Sequence, residues 1–88
     1  MPTVKLFGNL RQYVDTTLLQ VPGGSIQAVV EALCEGNPPL CEALLEYGHI
    51  RPHFIITLNG RHIQLAEGLD TPVIENDQIA IFPPIAGG

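Results

Sequence analysis

The sequence has 88 residues, enough for one small domain whose core must be well filled. Apolar residues make up 45% and charged residues 15%, which excludes an intrinsically disordered chain. Nine acidic residues against four basic ones give a formal charge of −5 with no Lys/Arg cluster, so direct nucleic-acid binding is not expected.

The N-terminal stretch MPTVKLFG has no basic flank leading into an apolar run, and no apolar run approaches about 20 residues. A soluble cytoplasmic protein without a membrane span is expected. Residues 3–7, TVKLF, alternate, which predicts a strand with Val4 and Leu6 on one side and Lys5 and Phe7 on the other. After the link GNLRQYVD, the β-branched and apolar residues 16–21, TTLLQV, predict a second strand that ends at the Pro22-Gly23-Gly24 turn, the two forming a hairpin.

Ser25 is placed to cap a helix. Ile26, Val29, Val30 and Leu33 follow at the spacing of one helical face, and Gly36 stands where a helix would end, before Pro38-Pro39. A second, shorter helix is expected over residues 39–47, PLCEALLEY, too short to dominate the core. Residues 54–58, FIITL, followed by Asn59-Gly60 and RHI, predict a hairpin closed by a type I′ turn. That register sets Thr57 opposite His62 and leaves both facing away from Ile56 and Ile63. Residues 64–77 read as an irregular connection, and QIAIF predicts a last strand with Ile79 and Ile81 inward and Ala80 and Phe82 outward.

Strand, strand, helix, short helix, strand, short strand, strand is the order of an α+β domain: a mixed sheet of about five strands with one main helix on one face. Its first and last strands are expected to be parallel neighbours at the centre. Phe7, Phe82 and His62 then fall on the uncovered face, two phenylalanines forming an apolar patch of the kind that marks a partner surface, unless the loop at residues 8–15 covers them. Cys34 and Cys41 make neither a C-x-x-C pair nor, with His49, His53 and His62, a four-ligand set, so no metal site is expected and both cysteines read as packing residues. No nucleophile–base pair is visible, so the protein is not expected to be an enzyme by itself.

The C-terminal stretch is IAIFPPIAGG. Pro83 and Pro84 fix φ and donate no amide hydrogen, so the sheet cannot continue and the chain leaves it extended. A body of residues 1–82 and a tail of residues 83–88 are expected, the tail reaching roughly 20 Å. Gly87 and Gly88, without Cβ atoms, suit a narrow channel in a partner, with the Gly88 carboxylate as reacting group and Pro83, Pro84, Ile85 and Ala86 as the contacting stem.

The segments VKLFGNLRQYV, LNGR and GLDTPVIENDQIAIFPPIAGG, with the strand–helix order between them, resemble the ubiquitin-like sulfur carriers of the MoaD/ThiS family. The resemblance implies the β-grasp fold with a flexible Gly-Gly tail and a co-substrate role. An E1-like enzyme would use ATP to adenylate Gly88, and sulfur from a persulfide donor would leave a C-terminal thiocarboxylate for an acceptor enzyme. No cofactor would be bound by the carrier itself. PPIAGG is similar to the ending of the molybdopterin synthase small subunit, which implies the large subunit of that enzyme as acceptor in molybdenum cofactor biosynthesis. The longer stretch HIRPHFIITLNGRHIQLAEGLDTPV looks more like carriers of the CysO type, and Asn76 stands where the family usually has glycine. Carriage for cysteine, thiamine or tRNA thiolation, lysine conjugation, and a binding module with no tail chemistry are the alternatives.

Overall fold

The structure, a computed structural model, describes residues 1–84. Thr3–Leu6 forms strand β1, with Val4 and Leu6 buried and Lys5 exposed, as the alternation requires. A six-residue 3-10 helix, Gly8–Tyr13, replaces the expected plain link and buries Leu10. Strand β2 is shorter than the composition indicated, Leu18–Gln20, and pairs antiparallel with β1. Its ladder opposes Lys5 with Leu18, and beyond that point β1 gives way to the 3-10 helix, so Thr16 and Thr17 have no partner strand.

Helix α1 spans Ile26–Gly36, with the Ser25 hydroxyl accepting from the Ala28 amide at 3.1 Å and Ile26, Val29, Val30 and Leu33 buried. Gly36 does not act as a left-handed cap. It is the last helical residue, and Asn37 ends α1 through its amide to the Cys34 carbonyl while its side chain caps the next helix at the Leu40 amide. One residue serving both ends leaves no place for a left-handed residue between the helices.

Helix α2, Pro38–Leu44, is shorter than the expected 39–47. Leu45–Glu46 (β3) turns through Tyr47 (φ 54°) and Gly48 (φ 80°) to pair with His49–Ile50 (β4), because two positive-φ residues in succession make a hairpin turn and not another helical turn. The Arg51 guanidinium holds this mini-hairpin to α2 by donating to the Glu42 carbonyl at 2.9 and 3.2 Å. Despite its length α2 supplies Leu40 and Leu44, both wholly buried, each contributing about 2 kcal/mol by burial.

Strands β5 (Ile55–Leu58) and β6 (Arg61–His62) form the hairpin read from Asn59-Gly60, with φ of 51° and 86° at the turn and Thr57 opposite His62. Strand β7 (Gln78–Phe82) lies parallel to β1 and antiparallel to β5, in the sheet order β2-β1-β7-β5-β6. This mixed sheet with α1 across one face is the β-grasp arrangement. The connection from 64 to 77 holds two short 3-10 turns, Ile63–Leu65 and Gly68–Asp70, and touches the start of α1 through a bridge between Ser25 and Pro72. Asn76 takes φ 72°, a conformation asparagine tolerates better than other residues with a Cβ, so it can stand in for glycine there. Among the described residues no helix is long and apolar enough to cross a membrane.

Candidate tail-exit and docking site

The central parallel pair determines where the chain leaves the sheet. Leu6 lies beside Ile81, and the Phe7 amide donates to the Ile81 carbonyl at 3.1 Å, so Phe7 and Phe82 emerge side by side on the face away from α1. Their rings stack with centroids 4.4 Å apart and an interplanar angle of 17°. Each is half-buried, covered on one face by the other ring. The Lys5 ammonium lies 5.1 Å from the Phe7 ring centroid, adding a cation–π contact on the same face.

Ile55, 43% exposed, is the third apolar member, because the β5–β7 ladder sets it opposite Phe82. With Gly8, Asn9, Pro83 and Pro84, these three side chains line a depression of about 510 Å³. A second depression of about 550 Å³ continues across the sheet past Lys5, Leu18, Thr57 and Ala80. None of the nine acidic residues lines either one, and Lys5 is the one charged side chain among their lining residues. The net negative charge therefore sits away from this face, and a partner here meets an apolar, neutral-to-positive surface.

Pro83 is half-buried and rests on Gly8, which has φ +61°. A Cβ at residue 8 would stand 2.8 Å from Pro83 Cγ and 3.3 Å from Cδ. Only glycine both adopts this φ freely and lets the proline ring lie so close. Sequence reasoning did not single out Gly8 or Ile55. A glycine directly after a strand was the available signal for the first, while the role of Ile55 depends on which strand neighbours β7.

His62 is not brought to the patch. Although it pairs with Thr57, its Nδ1 accepts from the Gln64 amide at 3.1 Å, capping the 3-10 turn. Its ring lines a separate depression with His49, Arg51, His53 and Phe54. Ile85, Ala86, Gly87 and Gly88 lie outside the described residues.

At the opposite end of β7, Asn59 and Asp77 clasp the β5–β6 turn to the strand's start. Asn59 Nδ2 donates to Asp77 Oδ1 at 3.0 Å, and Asn59 Oδ1 accepts from the Gln78 amide at 2.9 Å. The Ile74 amide donates to the other Asp77 oxygen at 2.8 Å. The Ile74 amide first, and then Asn59, hold the Asp77 carboxyl below its ordinary value of 3.8.

The sequence model described as the ThiS family matches residues 4–88. The chain is 34% identical over 65 residues to small archaeal modifier protein 3 of Haloferax volcanii, an alignment covering 74% of this chain and 67% of that protein. The solution structure of small archaeal modifier protein 1 from Methanosarcina acetivorans superposes with a TM-score of 0.91 at 33% identity, covering 99% of this chain and 95% of that one. The crystal structure of Mycobacterium tuberculosis CysO superposes with a TM-score of 0.84, covering 97% and 100% of the two chains, and its 21% identity speaks for the fold alone. The β-grasp fold, the relative at 34% identity and a family match over residues 4–88 agree: the chain belongs to the ThiS family of small ubiquitin-like carrier and modifier proteins.

Proposed function

We propose that this protein is a sulfur carrier whose reacting group is the carboxylate of Gly88. The observation that carries the reading is the exit itself: the central strand ends at Phe82 beside an apolar rim with no acidic side chain among its described lining residues, and Pro83, seated on Gly8, and Pro84 carry the chain off the sheet. Such a rim gives an enzyme a surface to grip while the tail enters its active site.

A carboxylate is a poor electrophile, so activation must come first. An E1-like partner would bind ATP, and attack by the Gly88 carboxylate on the α-phosphate would release pyrophosphate and leave an acyl-adenylate. A persulfide would displace AMP to form an acyl disulfide, and attack by a second thiol on the donor cysteine's own sulfur would release the thiocarboxylate and leave a disulfide on the donor. This chain's part is to bind, orient and present the tail; the catalytic groups belong to the partners. Among acceptors, the PPIAGG ending favours the large subunit of molybdopterin synthase, with CysO-type and ThiS-type acceptors as the other members of the same class.

A second reading, conjugation of Gly88 to a lysine of a target protein, is favoured by the modifier names of the relatives at 34% and 33% identity. Both readings share adenylation and differ in whether sulfur or an amine attacks. Incubation with ATP, a sulfide source and an E1-like enzyme from the same host, followed by intact-mass spectrometry, tests the first. A gain equal to one oxygen replaced by sulfur, absent when Gly88 is deleted, supports carriage. Higher-mass lysine-linked adducts in host extracts, with no such gain, would move the assignment to conjugation.

A further inference from the structure

The β5–β6 turn is closed by Asn59-Gly60, with φ of 51° and 86°. A Cβ at residue 60 would meet nothing within 4 Å, so the left-handed backbone, and not crowding, is what calls for glycine there. The dipeptide that suits this turn is also chemically vulnerable. With no side chain on residue 60 to obstruct it, the Gly60 nitrogen can close onto the Asn59 side-chain carbonyl carbon in a five-membered ring. Both residues are exposed, so water has access to the ring once it forms.

In the folded protein the Asn59 side chain is engaged with β7 instead. Its Nδ2 donates to Asp77 Oδ1 at 3.0 Å, and its Oδ1 accepts from the Gln78 amide at 2.9 Å. The Asn59 amide donates to the Gln78 carbonyl at 2.7 Å, and the Ile74 amide fixes the other Asp77 oxygen at 2.8 Å. Ring closure must draw the side chain back over its own C-terminal amide and rotate the Asn59 backbone out of the turn conformation. Both side-chain bonds are then lost, one of them to a carboxylate.

We propose that Asn59-Gly60 is a deamidation site that the Asn59–Asp77–Gln78 clasp keeps slow in the folded protein, and that its conversion to aspartate or isoaspartate releases the β5–β6 turn from β7. The Gly60 nitrogen gives up its proton and bonds to Asn59 Cγ, the Cγ–Nδ2 bond breaks, and ammonia leaves carrying that proton. Water then opens the cyclic imide at either carbonyl. Opening on one side gives aspartate, and opening on the other gives isoaspartate, with the chain rerouted through Cγ. No electrons are gained or lost, and the net change is NH replaced by O. Aspartate sets a carboxylate against Asp77 where an N–H donor stood, turning an attraction into a repulsion. Isoaspartate lengthens the backbone of a two-residue turn by one atom, which the paired strands cannot absorb in register. None of this depends on the chemistry of Gly88.

The test incubates the full chain in mildly alkaline buffer, native and in urea, and follows position 59 by mass spectrometry. Cleavage after glutamate isolates residues 47–67, in which Asn59 is the one asparagine. The native protein should deamidate at least about tenfold more slowly than the chain in urea, since two hydrogen bonds must break first. Asp77→Ala, checked to be folded, should react at least about threefold faster than wild type. Gly8→Ala, weakened at the far end of β7, should keep the wild-type rate while it stays folded. Asn59→Asp, which reproduces the aspartate product, should melt about 5 °C below wild type at neutral pH. The exchange Asn59→Asp/Asp77→Asn swaps donor and acceptor across the clasp and should recover most of that loss. Equal rates in native buffer and urea, no acceleration in Asp77→Ala, or equal acceleration in Gly8→Ala would overturn the protective role of the clasp. An Asn59→Asp protein melting with the wild type, or an exchange that recovers nothing, would overturn the proposed consequence.

Discussion

Gly8→Ala tests how tightly the tail is seated on the body. At φ +61° an alanine costs about 1 kcal/mol in backbone energy alone. Its Cβ would also begin 2.8 Å from Pro83 Cγ and must open to at least 3.4 Å. A prolyl ring can change pucker, but its Cδ is fixed to the backbone nitrogen, so ring and backbone at residue 83 must adjust together, which costs about 1–2 kcal/mol more. The sum, about 2–3 kcal/mol, corresponds to a fall in Tm of roughly 10–20 °C for a domain of this size. Pro83→Ala removes the Cγ and Cδ atoms that the new methyl would strike. In Gly8→Ala/Pro83→Ala the steric part should therefore vanish and the backbone part remain, a coupling of about 1–2 kcal/mol in a double-mutant cycle read by urea denaturation. Because Gly8→Ala displaces the tail's root, sulfur loading by the E1-like enzyme should fall as well. A Gly8→Ala protein as stable as the wild type, or a strictly additive cycle, would refute the contact as described.

Phe7→Ala and Phe82→Ala should each lose about 1 kcal/mol of stability, since each ring is half-buried against the other, and should impair activation by the E1-like partner much more, as measured by the KM for the carrier. Asn59→Ala should cost about 2 kcal/mol by thermal denaturation, through both the positive-φ turn and the bonds to Asp77 and Gln78; Asn59→Gly should lose the bonds but keep the turn, and so fall between Asn59→Ala and wild type. The folded-state value of Asp77 lies below its ordinary 3.8, so the unfolded chain binds more protons in the interval between them. The contribution of Asp77 is thus fully present above pH 3.8 and is lost as pH falls through the lower, folded value, a step that Asp77→Asn should abolish in a stability–pH profile.

Local pattern decided much of this protein. The alternation in TVKLF and QIAIF, the Ser25 cap with its apolar face, and the Asn59-Gly60 turn each satisfy a backbone requirement within a few residues, so the strands, α1 and the β5–β6 register were legible before any tertiary contact was known. Phe7 and Phe82 were placed on the open face by the same two-residue period. The folded chain decided the rest, both by selecting among local alternatives and by joining residues distant in sequence. Asn37 caps two helices at once, which moved Gly36 inside α1, and the Tyr47-Gly48 turn drew Leu45 and Glu46 out of α2. His62 left the docking face because its ring found the Gln64 amide. Ile55 joined that face and Gly8 came to lie under Pro83, because β5 and β7 have those neighbours in space and no short stretch of sequence names them.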